Sequence, residues 1–421
     1  VRDLEAAFAE AGLHRPPRVE RYEPGTELTY EVTGVFPAVA GRVTLAVEKF
    51  VGGGFAGQVY RVHIHRIDSP DGPIGGLEVG GRYAMKVLIP PSGGSKWFRD
   101  KLYAVGFQAP FQLQVNPTAA RAGALWQKLI RRAAGRAFGD EQCVKDIHCT
   151  FVDPTLGSCG EISDWIAGRV WRFEVDDRLD ALRRWKTGKA VDAEALGSPE
   201  FRAKRKFMDD FVKLLHEMGA REFARQYYWW TCKSQPNVLK RLDTEDDPEA
   251  GLTAMDFRAG LALLPVLPMS PGDVKLILSG LARGSLVQFD RGDLRQLERF
   301  VEDKSEWFSD IRGAVEELKS AERIYRDSQP DITHNHIRLL HDGRLWGTML
   351  DSAVTGWRVT GQTDDACTDG LRRSRMRTIA FAALGLMPLL ALAGGVALAV
   401  AGIAAGWRWP AAVGAGLGVF V

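Results

Sequence analysis

The fold is decided by the stretch Val51-Gly-Gly-Gly-Phe-Ala-Gly-Gln-Val-Tyr-Arg61. Its pattern is G-x-G-x-x-G-x-V, formed by Gly52, Gly54, Gly57 and Val59. The runs on either side, 41–51 and 59–64, alternate apolar and polar residues, which predicts two strands joined by a glycine-rich turn. Because glycine has no side chain, such a turn lets backbone amides approach nucleotide phosphates. The turn is therefore a candidate phosphate-binding loop.

A lysine lies in the next predicted strand, Tyr83-Ala-Met-Lys-Val-Leu88. Apolar residues flank Lys86 on both sides, and a charged group inside such a strand needs an oppositely charged partner. A phosphate would be such a partner. The glycine turn and Lys86 together predict a nucleotide-binding site.

The composition limits the classes of protein to which the chain can belong. The chain has 421 residues, enough for one large or two medium domains with appendages. Its 55 basic and 53 acidic residues leave a net charge of +2, and no basic stripe with interleaved aromatic residues indicates a nucleic-acid partner. Five irregularly spaced cysteines argue against a disulfide framework or a zinc site. A reducing, cytoplasmic setting fits best.

The remaining periodic patterns predict an α+β chain. A strand is predicted at 27–33, and a mixture of strands with a hinge at 161–169 is predicted within 149–175. Periodic apolar positions predict helices at 117–138, 204–219, 274–281, 290–300 and 307–325. The helices follow the strands in sequence, so the chain is expected to have a strand-rich first lobe and a helical second lobe.

The carboxy-terminal region has a different character. Residues 378–406 are uncharged and exceed the roughly 20 residues that cross a bilayer. Residues 411–421 resemble the start of a second span, so we expect a helical hairpin. The arginines that precede the first span are expected to stay on the cytoplasmic side. They are Arg372, Arg373, Arg375 and Arg377.

The order of these features resembles the protein-kinase-like superfamily over roughly residues 40–300. The resemblance implies a two-lobed α+β fold with ATP between the lobes. It places the nucleotide against Gly52, Gly54, Gly57, Val59 and Lys86. It also implies Mg²⁺ bound by Asn237, in Pro-Asn-Val-Leu, and by Asp256, in Asp-Phe-Arg where the superfamily has Asp-Phe-Gly.

The sequence departs from that pattern at two places. Cys232 occupies the position where the resemblance places the catalytic Asp, and a thiol with a pKa near 8.5 is no carboxylate equivalent. The helix at 117–138 stands where a kinase helix offers a Glu to the lysine, but it has no acidic residue, and Gln127 is the nearest substitute. We therefore expect a pseudokinase or atypical kinase with a regulatory or weak ATPase role.

Two alternatives stay open. The chain is an active phosphotransferase if another carboxylate, such as Asp246 or Asp247, replaces the missing base. It is a membrane scaffold without nucleotide if the cleft is filled by side chains.

The helices directly after Asp256 and the predicted membrane hairpin are similar to the atypical membrane-bound kinases of the ubiquinone-biosynthesis (UbiB) type.

The predicted organisation has five parts. They are an N-terminal extension (1–40), a kinase-like N-lobe (41–165), a helical C-lobe (166–327), a juxtamembrane linker (328–377) and a transmembrane hairpin (378–421). The expected partners are a nucleotide, the membrane and a protein. We expect the body to lie in the cytoplasm and the C-terminal hairpin to anchor it to the membrane.

Overall fold

The computed structural model describes residues 20–53, 57–89, 117–170, 199–224, 226–228, 237–257, 292–328 and 363–377. It also describes isolated positions at 10, 11, 13, 93–94, 262–263, 287–288, 351, 354–355, 357–358 and 379. The helix predicted at 274–281 lies outside the described residues.

Six antiparallel strands form a closed barrel. They are β1 (Glu27–Gly34), β2 (Ala40–Gly53), β3 (Gln58–Asp68), β4 (Arg82–Val87), β5 (Ile147–Asp153) and β6 (Ser158–Asp164). Around the barrel the order is β1, β2, β3, β4, β6, β5, and β5 pairs back to β1 with Val32 opposite Phe151. The strands predicted at 27–33, 41–51 and 59–64 are confirmed. Because β1 precedes residue 41, the barrel includes part of the predicted N-terminal extension.

Alternate residues of the strands fill the barrel, as the period of a β-strand requires. The buried interior includes Tyr30, Val43, Leu45, Tyr60, Val62, Met85, Val87 and Ile162. Since Met85 and Val87 both point inward, the intervening Lys86 lies on the outer face of β4. Strand β4 therefore buries apolar side chains on its inner face and carries Lys86 on its outer face.

Helix α1 (Pro117–Phe138) packs against the outside of the barrel at β5 and β6, and it has the bounds that the sequence predicted. Its buried stripe includes Leu125, Trp126, Leu129 and Ile130. These side chains join the hydrophobic core of the helical lobe, which contains Phe211 and Phe257. One helix therefore belongs to both halves of the fold.

The helical lobe surrounds that core. Its helices are α2 (Pro199–Glu217), α3 (Arg221–Ala224), α4 (Leu294–Asp303), α5 (Ser305–Phe308) and α6 (Arg312–Ser328). Short 3₁₀ turns occupy Glu141–Cys143 and Leu242–Thr244. A three-stranded antiparallel sheet contains β7 (Gly168–Val170), β8 (Val238–Arg241) and β9 (Leu252–Ala254), and a smaller pair joins β10 (Ala262–Leu263) to β11 (Val287–Gln288).

Several predicted boundaries were wrong. The helix predicted at 204–219 is α2, Pro199–Glu217, and the helix predicted at 290–300 is α4, Leu294–Asp303. The predicted hinge at 161–169 begins inside β6 and ends inside β7, so residues 165–167 alone connect the two strands. The helix predicted at 307–325 is two helices, because α5 ends at Phe308 and α6 begins at Arg312. Phe308 and Ile311 are both buried, so the apolar pattern continues through the break.

Helix α7 (Asp365–Arg373) lies in the predicted juxtamembrane region. Within the part of the chain that the structure describes, no helix is both long and apolar enough to cross a membrane. The predicted hairpin at 378–421 lies outside the described residues, apart from position 379, and it stays a prediction.

Candidate nucleotide-binding site

The glycine turn joins β2 to β3, with Gly52 paired opposite Val59; Gly54 lies outside the described residues. A Cβ atom on Gly57 would lie 2.5 Å from the backbone carbonyl oxygen of Val87, so no larger residue fits without a shift of β4. A Cβ atom on Gly52 would meet open space. The two glycines therefore differ: Gly57 allows close packing of the strands, whereas Gly52 has room for a Cβ atom.

Lys86 lies on β4, opposite Val59 of β3. Its side chain is 13% exposed. The Nζ atom lies 3.4 Å from Oδ1 of Asp256, which is 170 positions away in sequence. The lysine and the carboxylate that the sequence predicts for one site are thus brought together, one from the barrel and one from the helical lobe.

Asp256 follows β9, and two aromatic residues fix its backbone. The hydroxyl of Tyr227 donates a hydrogen bond of 2.6 Å to the backbone carbonyl of Asp256. Burial, and then the charge of Asp256, raises the pKa of Tyr227 well above its ordinary value, so its hydroxyl remains a donor. The neighbouring Phe257 is buried and packs edge-on against Phe211 and at a tilt against Tyr227. This packing holds the carboxylate toward Lys86.

Asn237 lies at the start of β8, beside Asp256. The backbone amide of Met255 donates to the carbonyl of Asn237 at 2.8 Å, which joins the two segments. The Nδ2 atom of Asn237 donates to the backbone carbonyl of Gln226 at 3.0 Å and to its Oε1 at 3.2 Å. Because the amide nitrogen is used in this way, Oδ1 is the atom that can bind a cation. Mg²⁺ prefers oxygen ligands, and Asn237 and Asp256 together fit it.

Gln127 does not take the role of the missing acidic residue. It is buried, and its Nε2 donates to the backbone carbonyl of Lys145 at 2.9 Å, inside the helical lobe. One α1 side chain that reaches the barrel is basic: Arg121 pairs with Glu317 at 2.6 Å and donates to Thr150 at 3.4 Å. The sequence-based suggestion for Gln127 was wrong, because helical period alone does not say which neighbour a buried amide meets.

The proposed replacement base is also misplaced. Asp246 and Asp247 lie in the turn between β8 and β9, at the end of β8 that is away from Asn237. The four residues of β8 separate that turn from Asn237 by roughly 13 Å. Oδ1 of Asp247 accepts a hydrogen bond from the backbone amide of Glu249 and thereby stabilises the turn. Cys232 lies outside the described residues.

No family model and no curated protein matches the chain. Among solved structures, the chain is similar to the BubR1 kinase domain at 18% identity with a TM-score of 0.27; the match covers 58% of this chain and 52%, about half, of that one. It is also similar to a rhoptry kinase from Toxoplasma gondii at 10% identity with a TM-score of 0.29, covering 91% of this chain and 95% of that one. Both TM-scores are low, so the interpretation of the site rests on its own residues and geometry.

Proposed function

We propose that the chain is a kinase-like protein that binds ATP with Mg²⁺ between the barrel and the helical lobe. The order of elements supports this: a glycine turn between two barrel strands, a lysine on the next strand, and α1 packed against the barrel. Helix α2 then precedes the predicted catalytic loop. Asn237 directly precedes β8 and Asp256 follows β9, and a backbone hydrogen bond from Met255 to Asn237 joins the two segments. These elements occur in the order that the kinase-like resemblance implies.

The observation that carries the proposal is the contact between Lys86 Nζ and Asp256 Oδ1 at 3.4 Å. A cation for phosphate oxygens and an oxygen ligand for a metal meet there, and Asn237 adds a second oxygen ligand from the adjoining strand. Electrostatic pairing of this kind positions a nucleotide triphosphate and its metal.

Each residue of this chain has a distinct task in the proposed site. Lys86 binds phosphate oxygens and exchanges its contact with Asp256 for them. Asp256 and Asn237 would hold the metal, Asp256 through its carboxylate and Asn237 through its amide oxygen, and Tyr227 keeps the backbone of Asp256 in place. When bound, Mg²⁺ neutralises negative charge on the phosphates. Backbone groups of the glycine turn cover the same phosphates.

We assign nucleotide binding to the site in preference to efficient phosphoryl transfer. Cys232 stands where a carboxylate would accept the proton, and Asp246 and Asp247 lie too far away to replace it. A regulatory protein or a weak ATPase is the corresponding role. In this proposal the C-terminal hairpin anchors the protein to the membrane, with the body in the cytoplasm, and a protein partner responds to the nucleotide.

Thermal unfolding with ATP, with and without Mg²⁺, tests the proposal. We expect Mg·ATP to stabilise the wild-type protein by about 2.7 kcal/mol at a concentration one hundred times Kd. Lys86→Met should abolish this stabilisation. The control Lys206→Met changes an exposed lysine of α2 and should keep it. Absence of any Mg·ATP effect on the wild-type protein would overturn the proposal and favour a scaffold without nucleotide.

A further inference from the structure

Strand β2 shifts its register against β3 twice near the glycine turn. One shift lies between Val47 and Lys49, and the other lies between Phe50 and Gly52. An irregularity of this kind bends a strand and increases its twist. Contacts from outside the β2–β3 hairpin can therefore set the position of its end, where the turn lies.

The chain before β1 makes such contacts with β3. The Nε2 atom of Gln58 donates a hydrogen bond to the backbone carbonyl of Glu20 at 3.1 Å, and the backbone amide of Tyr22 donates to the hydroxyl of Tyr60 at 3.2 Å. Gln58 and Tyr60 are both fully buried, and the Tyr60 hydroxyl donates in turn to Oε1 of Gln58. Residues 20–22 thus lie across the end of the barrel from which the glycine turn projects.

The same segment also contacts β2 and β5. The guanidinium carbon of Arg21 lies 4.6 Å from the centroid of the Phe50 ring, and Phe50 lies between the two register shifts of β2. The hydroxyl of Tyr22 donates to Oδ2 of Asp153, at the end of β5, at 2.6 Å. Asp153 is fully buried, and its Oδ1 accepts two backbone amides of the turn that follows β5. Because β5 lies across the barrel from β3, Tyr22 links the glycine end of β3 to a fixed point on the far side.

The contacts on β3 adjoin the proposed phosphate-binding residues. Gln58 and Tyr60 lie on either side of Val59, which pairs with Lys86 on β4. Gln58 also pairs with Gly53 across the turn. A displacement of β3 at these positions would therefore move the glycine turn relative to the lysine.

We infer that Tyr22 is a positioning residue for the glycine turn. Anchored on Asp153, residues 20–22 hold the end of the β2–β3 hairpin where its backbone groups cover phosphates beside Lys86. Tyr22 acts through Tyr60 and does not contact the ligand. This inference rests on the proposed function, because the turn covers phosphates only if the site binds a nucleotide.

Isothermal titration with Mg·ATP and with adenosine gives the first test. Tyr22→Phe removes the hydrogen bond to Asp153 and keeps the ring, so we expect Mg·ATP to bind about fivefold more weakly. The affinity for adenosine, which has no phosphate, should stay unchanged. Tyr30→Phe is the matched control, because the Tyr30 hydroxyl donates to the same Oδ2 atom at 2.8 Å but belongs to β1. It should leave both affinities unchanged.

Three results of these titrations would overturn the inference. They are an unchanged Mg·ATP affinity in Tyr22→Phe, equal losses of affinity for Mg·ATP and adenosine, and an equal loss of Mg·ATP affinity in Tyr30→Phe. The second and third would mean that the hydrogen bond stabilises the barrel in general and does not position the turn.

Hydrogen exchange without nucleotide gives a second test. Tyr22→Ala also removes the ring that packs at a tilt against Tyr60, so we expect the backbone amides of residues 58–60 to exchange about tenfold faster. The amides of α4 should keep their wild-type rates. Unchanged exchange at 58–60, or equal acceleration in α4, would overturn the inference. Failure of the proposed function is distinct from this, since it would appear as wild-type protein that binds no Mg·ATP. If Tyr22→Ala does not fold, Tyr22→Phe replaces it.

Discussion

Lys86 on β4 and Asp256 after β9 form an ion pair of 3.4 Å that joins the barrel to the helical lobe. The lysine is mostly buried, and the carboxylate is 32% exposed. Met255, which directly precedes Asp256, donates a backbone hydrogen bond to Asn237. In the proposed site the two members of the pair bind different parts of one ligand: the lysine binds phosphate and the carboxylate binds metal.

Replacing Asp256 should separate these two roles. Asp256→Asn removes a metal ligand but also releases Lys86 from a competing anion. We expect Mg²⁺-dependent ATP affinity to fall by about tenfold or more, while ATP affinity without Mg²⁺ stays the same or increases. Isothermal titration with and without Mg²⁺ measures both. Asp310→Asn, on a carboxylate that pairs with Arg132 away from the site, is the control. Equal losses with and without the metal would contradict this assignment.

Tyr227→Phe tests the support of Asp256. The substitution removes one buried hydrogen bond and leaves the aromatic packing, so we expect a loss of about 1 kcal/mol in the free energy of unfolding. Mg·ATP affinity should fall several-fold as the backbone at Asp256 loosens. Tyr228→Phe is the matched control, because its hydroxyl meets His216 at 2.9 Å instead. If both variants changed nucleotide affinity equally, the support would not be specific to Tyr227.

Gly57 and Gly52 should differ in their tolerance of a larger side chain. In Gly57→Ala the new methyl group meets the carbonyl of Val87 at 2.5 Å, so we expect destabilisation by about 1–3 kcal/mol. In Gly52→Ala it meets open space, and stability should change by no more than about 0.5 kcal/mol. Chemical denaturation compares the two variants directly. Similar stability of the two variants would show that β4 can shift away from residue 57 at little cost in free energy.

Lys204 on α2 predicts a pH dependence of stability. Burial lowers its pKa to about 7, whereas an unfolded lysine has a pKa of about 10.4. Between these values the unfolded chain binds a proton that the folded chain does not, so the free energy of unfolding rises with pH. The free-energy penalty for burying the charged Lys204 in the folded protein is therefore fully present below a pH of about 7.

Lys204→Met should remove that penalty. We expect the variant to exceed the wild-type protein in stability by about 1–4 kcal/mol at acidic pH, and the difference should shrink as pH increases toward the unfolded pKa. Urea unfolding across pH measures it, with the exposed Lys206→Met as a control that shows no such trend. A difference independent of pH would mean that Lys204 stays charged in the fold.

Cysteine labelling should follow burial. Burial raises the pKa of Cys143 and of Cys149 to about 12, and Cys159 is buried as well. Iodoacetamide should therefore modify exposed Cys367 in the native protein and these three only after unfolding, as mass spectrometry of the peptides would show. We expect Cys232 to react no faster than Cys367. Faster labelling of Cys232 would instead identify an activated thiolate.

The local elements of the fold could be predicted from the sequence. The apolar stripe of α1 gave its bounds, Pro117–Phe138, because a helical period is a local property. The closure of the barrel could not be predicted, since the pattern at Val32 specifies a strand but not its partner Phe151. The break before Arg312 was missed for a related reason: the apolar period runs through it.

The residues of the candidate site also fall into those that local sequence could predict and those that it could not. Lys86, Asn237 and Asp256 were found because their motifs are short and local. Their supports, Gln226 and Tyr227, act through contacts between distant segments; the signal that could have found Tyr227 is that a buried hydroxyl needs a partner.

The closed barrel also restricts how other proteins can bind this lobe. Each of its six strands has a neighbour on both sides, but β1 pairs with β5 over Val32–Gly34 alone, so residues 27–31 of β1 have a strand partner on one side. A peptide that extends the barrel by adding a strand would therefore have to enter beside residues 27–31. Along the fully paired strands, recognition of the lobe must occur through side chains on the outer face of the barrel.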